Sequence, residues 1–400
     1  MTTKLWQSAN TQPLHAQIEQ YTVGNDQSLD QRLLGYDITA SKAHAHMLES
    51  IGVITNEEYT KIAKTLDDLY ISWQAGEFIV TSDYEDGHTA IETYVTTKLG
   101  TIGKKIHTGR SRNDQALVMM RLYMKDVLQH TGSLLDDVVA AYDAAIKKAL
   151  KQPMPGYTHT QKAMPTTVKT WLESYRDAFN DMRAGVSAAR VMIDQNPLGS
   201  AAGFGVTLPL DRDMTTRELG FKKVQNNPMY AGLSRGVFEL IAVQSLLPVM
   251  TYAGKFASDM LLFTSQEFNF FALPATMTTG SSIMPHKRNY DVYEIMRAKS
   301  HGFMAYPTQL HAVAAGVGSG YHRDLQLTKG VTMAAFDECL ATLEILALTV
   351  AELQINSERL DAAMTEELYT VATIMELVGQ GMPFRDAYKK VKFDREERGV

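Results

Sequence analysis

Apolar residues recur along much of the chain in alternating steps of three and four. Val168, Leu172, Tyr175, Phe179, Met182, Val186, Ala189 and Ile193 form one such seam, which predicts a long helix lying against other helices. Pro165, ahead of Thr166 and Thr167, suits its start, and Asn196-Pro197 followed by Gly199 suits its stop. A second seam runs through Met120, Met124, Val127, Thr131, Leu134, Val138, Ala141 and Ala145, crossing Gly132 at a cost of about 1 kcal/mol relative to alanine. Two antiparallel neighbours are implied. The stretch from Gly232 to Phe263 is apolar on nearly every side, as in a helix buried within a bundle, and Pro248 is expected to kink it. Further helical patterns run from Val292 to about Ala315 and from Leu327 to Leu353. The first hundred residues predict shorter helices, with Thr55 and Glu58 spaced as a capping box. Period-two alternation is scarce. The pattern therefore predicts an all-α protein with an N-terminal helical region over 1–105, a central long-helix bundle over 106–352 and a short helical C-terminal region over 353–400. Seams this long leave apolar faces that one chain rarely covers, so self-association is expected.

Composition narrows the function classes. The chain has 400 residues, with 39 Lys and Arg against 45 Asp and Glu, a formal charge of −6. It lacks the basic excess that drives phosphate-backbone binding, so no nucleic-acid partner is expected. Cys339 is the sole cysteine, which removes disulfide frameworks, Cys-rich zinc sites and iron–sulfur clusters and fits a reducing, cytoplasmic setting. No apolar signal core follows Met1 to Gln7. Val237 to Met250 is interrupted by Glu239, Gln244 and Pro248, and Leu340 to Leu353 contains Glu344 and Glu352, so no membrane-spanning segment is expected.

Four polar segments between the helical patterns carry candidate chemistry. His107 to Asp114 places two guanidinium groups and an amide before a long helix, where they could grip carboxylates or serve only as a solvated, capped helix start. Gly156 to Gln161, a loop between Pro155 and Pro165, contains His159, a candidate acid–base group or a structural histidine. Thr279 to Asn289 joins a small Gly-Ser-Ser start to Lys287 and Asn289, ahead of the helix carrying Glu294. Such a segment suits a serine oxygen and an anion-stabilising cation closing over a substrate together, or a flexible basic linker. Tyr321 to Gln326, with Lys329, supplies a hydroxyl, an amide and a cation near a helix start. Gly203-Phe204-Gly205 lacks the rest of a dinucleotide fingerprint, and Gly103-Lys104 lacks the rest of a P-loop. His44 and His46 fall on different helix faces with no second ligand pair. Nothing in the sequence calls for a metal or cofactor.

Gly280 to Asn289 resembles the signature loop of the fumarase, aspartase and argininosuccinate lyase superfamily, Gly-Ser-Ser-x-Met-Pro-x-Lys-x-Asn. The His107–Gln115, Gly156–Gln161 and Tyr321–Lys329 segments are similar, in wording and order, to the argininosuccinate lyase family. The resemblance implies a three-region lyase fold whose long helices pool into a homotetrameric core, with each site drawn from three subunits. It also implies a cofactor-free β-elimination that splits argininosuccinate into arginine and fumarate. Carried onto this chain, it makes Ser281 the base, helped by backbone N–H groups and Lys287, and makes His159 the group serving the leaving nitrogen. Glu294 would pair with that histidine and raise its pKa. Lys287 and Asn289 would hold the substrate carboxylate, with Thr158 and Ser282 as further contacts. Arg112 and Asn113 match fumaryl-side or carboxylate contacts. Tyr321, Gln326 and Lys329 match contacts to the arginine portion and its carboxylate, and Asp86 matches a position near the guanidinium end.

Four positions depart from the family pattern. Tyr290 replaces a proline, Gly87 an apolar residue and Thr160 a leucine, and Gly24 stands about where many members place a substrate-binding serine. The family's C-terminal region also normally runs several dozen residues further. These departures leave two other readings open: a superfamily lyase releasing fumarate from a different N-substituted aspartate, and a non-catalytic, crystallin-like structural protein.

Overall fold

The computed structural model describes residues 14–398, so the Met1–Gln7 segment lies outside the described residues. Helices dominate, and the all-α expectation holds. Four are long: Arg112–Ala149, Val168–Ile193, Val237–Phe263 and Thr328–Ala351. The second matches its predicted seam from first residue to last, with all of its seam residues buried except the half-buried Met182. Strands among the described residues are limited to a hairpin, Pro153–Thr158 with Gln161–Thr167, and two pairs of two-residue strands.

The chain divides into two compact units. The first comprises Met1–Gly132, Ala184–Leu247 and Phe303–Cys339; the second comprises Ser133–Arg183, Pro248–Gly302 and Leu340–Val400. Each long helix contributes a stretch to both, so these units follow different lines from the three regions read along the sequence.

In the first unit, helices Asp26–Ser50, Asn56–Gln74 and Gly87–Leu99 share a core that includes Leu34, Ile38, Leu48, Ile62, Leu66, Ile91 and Val95. Each such aliphatic side chain contributes about 1.5–3 kcal/mol when fully buried. Gly35 is small for a reason: a Cβ there would lie 2.6 Å from the Trp73 ring, whose Nε1–H donates to the Gln31 carbonyl at 2.7 Å. The predicted capping box is present, with Glu58 N–H donating to Thr55 Oγ1 and Thr55 N–H returning to the Glu58 carboxylate.

The second unit is packed around aromatic rings. Tyr142 lies 6.0 Å from Phe179 and 5.6 Å from Phe256, and Trp171 stacks on Phe271 at 4.9 Å. Asp259 accepts hydrogen bonds from Trp171 Nε1 and Tyr175 Oη, a polar tie between two apolar helix faces.

Three expectations need correction. The buried helix begins at Val237 rather than Gly232, because Gly236 adopts a positive φ of 80° and donates its N–H to Glu239 Oε2, starting a new helix after the short one at Pro228–Leu233. The helix continues through Pro248 as one element. By length and composition it could cross a membrane, at a mean hydropathy of 1.4, contrary to the reading that its polar residues prevent this. Phe238, Val243, Leu246, Met250, Phe256 and Met260 are nevertheless all buried in the protein. The helical pattern from Val292 is two helices, Asp291–Gly302 and Ala305–Ala315. Pro307 has no N–H to offer the turn before it, so it belongs in the first turn of a fresh helix.

Candidate functional site

Six predicted residues come together in one cleft of about 200 Å³ in the first unit: Asp86, Arg112, Asn113, Tyr321, Gln326 and Lys329. Helix N-termini build much of its wall. Asp86 caps the Gly87–Leu99 helix, accepting the Thr89 N–H and hydroxyl, both at 2.7 Å. Arg112 opens the Arg112–Ala149 helix and spends its guanidinium on Glu85 at 2.9 Å, on Asp86 at 3.5 Å and on the Thr89 hydroxyl. Lys329 donates to Asp26 at 2.8 Å and to Asp30 at 2.5 Å. The Gln326 amide donates to the carbonyls of Thr22 and Val23.

Burial and pairing compete throughout this cleft. Burial would lower the Lys329 pKa, but Asp30 and Asp26 outweigh it and hold the ammonium above its ordinary value. Asp26 is raised, because its burial outweighs the Lys329 charge. Burial would raise Asp86; the His88 and Arg112 charges and the Thr89 hydrogen bonds overcome that and lower it. His88, itself buried, is held above the usual histidine value by Asp37, whose Oδ2 lies 2.5 Å from its Nδ1.

Asp26 and Asp30 line the cleft and were not singled out in the sequence. The available signal was two acids four apart, on one face of a predicted helix; their role depends on a lysine some three hundred positions away. Gly87 explains how Asp30 fits. A Cβ at 87 would stand 3.1 Å from the Asp30 Cβ, and without it the Gly87 N–H reaches Asp30 Oδ2 at 2.9 Å. Gly24 caps the short Ala16–Val23 helix at a positive φ and is not among the residues lining the cleft.

The remaining predicted residues belong to the second unit. The Gly156–Gln161 segment, expected as a loop, is the tip of the hairpin, with Thr158 paired to Gln161. His159 and Thr160 form its two-residue turn, both at positive φ, 53° and 60°. Such a turn favours Asn-Gly, so side chains there are held at some conformational cost, of order 1–3 kcal/mol each. All three of Thr158, His159 and Thr160 are exposed.

Ser281, Ser282, Lys287 and Asn289 share a loop whose neck is closed by paired backbone hydrogen bonds between Thr279 and Asn289, at 2.9 and 3.1 Å. The Thr279 hydroxyl donates to Asp291, and the Asn289 amide reaches back to the Gly280 carbonyl. Ser281 Oγ accepts the N–H groups of Ile283 at 3.3 Å and Met284 at 3.1 Å. Two main-chain donors on one hydroxyl oxygen stabilise negative charge there, the condition for a serine to act as a base. Ser282, Ile283 and Lys287 are exposed, and Glu294 lies, exposed, in the first turn of the following helix. Among the described residues, no hydrogen bond or ion pair joins Glu294 to His159.

Comparisons with known proteins place the chain in a family. Residues 15–304 match the family described as Lyase. The chain is 45% identical over 390 residues to an argininosuccinate lyase of Xanthomonas campestris pv. campestris (strain B100), covering 97% of this chain and 90% of that protein. It is 44% identical over 387 residues to an argininosuccinate lyase of Stenotrophomonas maltophilia (strain R551-3), covering 96% and 89%. The fold is similar to a crystal structure of a recombinant class II fumarase from Schistosoma mansoni, with a TM-score of 0.80 at 17% identity, covering 95% of this chain and 88% of that one. The chain belongs to the lyase family, and within it to the argininosuccinate lyases.

Proposed function

We propose that this protein splits argininosuccinate into arginine and fumarate, a step of arginine biosynthesis. The Ser281 hydroxyl, receiving two main-chain N–H groups inside a loop closed at its neck, is the observation that carries the reading. As an alkoxide, Ser281 removes the proton from the succinyl carbon next to a carboxylate. The electron pair left behind forms the fumarate double bond as the carbon–nitrogen bond breaks. The departing nitrogen takes a proton from His159, directly or through water. Lys287 and Asn289 hold the carboxylate on which charge accumulates. The family relationship and the match along nearly the whole chain support this chemistry.

The assembly we propose is a cytoplasmic homotetramer with each site drawn from three subunits. The exposed His159 hairpin and Ser281 loop support it, since an acid–base group needs a drier setting than one chain gives these residues. Sedimentation should give four chains per particle; a monomer with full activity would refute the shared site.

Purified protein offered argininosuccinate should form fumarate, followed by ultraviolet absorbance. Reaction only with other N-substituted aspartates would transfer the assignment to a different amine. No reaction with any of them would favour the structural reading.

A further inference from the structure

Eight charged side chains besides the buried His88 line the cleft, and all but one are engaged by protein groups. Arg112 is held by Glu85, Asp86 and Thr89, and Lys329 lies between Asp26 and Asp30. Arg323 donates to Gln326 Oε1 at 3.1 Å and to the Thr22 carbonyl at 3.2 Å. His88 is paired with Asp37. The exception is Arg235, which lines the cleft yet whose guanidinium has neither an ion pair nor a hydrogen bond among the described residues.

The fold aims this arginine. On one side Ser234 is buried and its Oγ accepts from Arg121 at 2.6 Å. On the other, Gly236 holds a positive φ in a bend so tight that a Cβ would come 3.0 Å from the Ala314 Cβ. Between these clamped neighbours the Arg235 guanidinium stacks over the Tyr321 ring, 4.8 Å from its centroid. Its N–H groups are spent on no protein acceptor among the described residues, and a guanidinium with free donors can grip a carboxylate through two parallel hydrogen bonds. Arg235, Tyr321 and Asn113 also border a narrower cavity with Leu117 and Met229 in its wall.

We infer that Arg235 is the carboxylate anchor for the amino acid that leaves, gripping the α-carboxylate of the arginine portion while Tyr321 fixes the plane of the guanidinium. The inference rests on the proposed reaction for the identity of that amino acid. The Gln326 amide and the Lys329 ammonium are already engaged by protein carbonyls and carboxylates, so they shape the wall beside the anchor.

Calorimetric titration of the intact protein with arginine and with argininamide, which lacks the carboxylate charge, tests this without turnover. The unaltered protein should bind arginine at least ~10-fold more tightly than argininamide, the scale of one charge-assisted hydrogen-bonded pair. Arg235→Gln should bind the two within about twofold, and Arg235→Lys should keep an intermediate preference, because a point charge replaces a fork. If Arg235→Gln, folded by its thermal melt, retains the full preference for arginine, the anchor is elsewhere. Absence of fumarate formation by the unaltered protein, with the Arg235-dependent preference intact, would overturn the reaction and leave the anchor standing.

Discussion

Lys329 in the cleft is 6% exposed and touches two carboxylates, whereas Lys287 in the serine loop is exposed and makes no ion pair among the described residues. The same difference runs through their surroundings. Asp86, Arg112 and His88 are each tied to protein partners, while His159 and Glu294 stand exposed on a hairpin tip and a helix start. Charges that are paired and buried hold a shape and contribute to folding. Exposed ones cost the fold little and remain free to meet a substrate. Stability and turnover should therefore respond to different lysines and different histidines.

The sharpest break of this contrast is Lys329→Met, which leaves Asp26 and Asp30 together without their cation. Loss of about 3–5 kcal/mol of stability is expected in denaturant titrations, against less than about 0.5 kcal/mol for Lys287→Met. Equal effects from the two would dissolve the distinction. Next come Ser281→Ala and His159→Asn, each expected to lower turnover at least ~100-fold, or about 2.7 kcal/mol in the barrier, with thermal midpoints unchanged. Near-normal rates in either would mean that its role is misassigned.

A more modest effect follows from His88. Burial acts to lower its pKa, but Asp37, with Asp86 and Asp30, raises it above the ordinary 6.5. A raised folded-state value stabilises the protein fully below pH 6.5, and this contribution disappears as pH climbs through the folded value. Melting profiles should thus decline from neutral toward alkaline pH, and His88→Gln should flatten that slope while lowering stability overall. A slope that persists in the variant would assign it to another group. Smallest is Thr55→Ala, which removes one half of the capping box far from any acid–base group. It should cost about 1 kcal/mol and leave turnover unchanged.

The seam from Val168 to Ile193 was legible because a helix repeats its buried face every three or four residues, and that arithmetic is local. The Ser281 loop was legible as a motif, down to the need for main-chain donors, since a serine base requires them wherever it lies. The hairpin escaped notice because its turn is His159-Thr160 rather than a pair that favours positive φ. Asp26 and Asp30 escaped because a carboxylate on a helix acquires meaning only from its partner, here Lys329.

By itself the sequence determined the helical class, the long seams and the capping box, each of which depends on neighbours within a few positions. Tertiary structure alone decided which cations are already spent and which, like Arg235, are left for a ligand. That outcome depends on Coulombic and hydrogen-bond partners whose distance in space bears no relation to their distance along the chain.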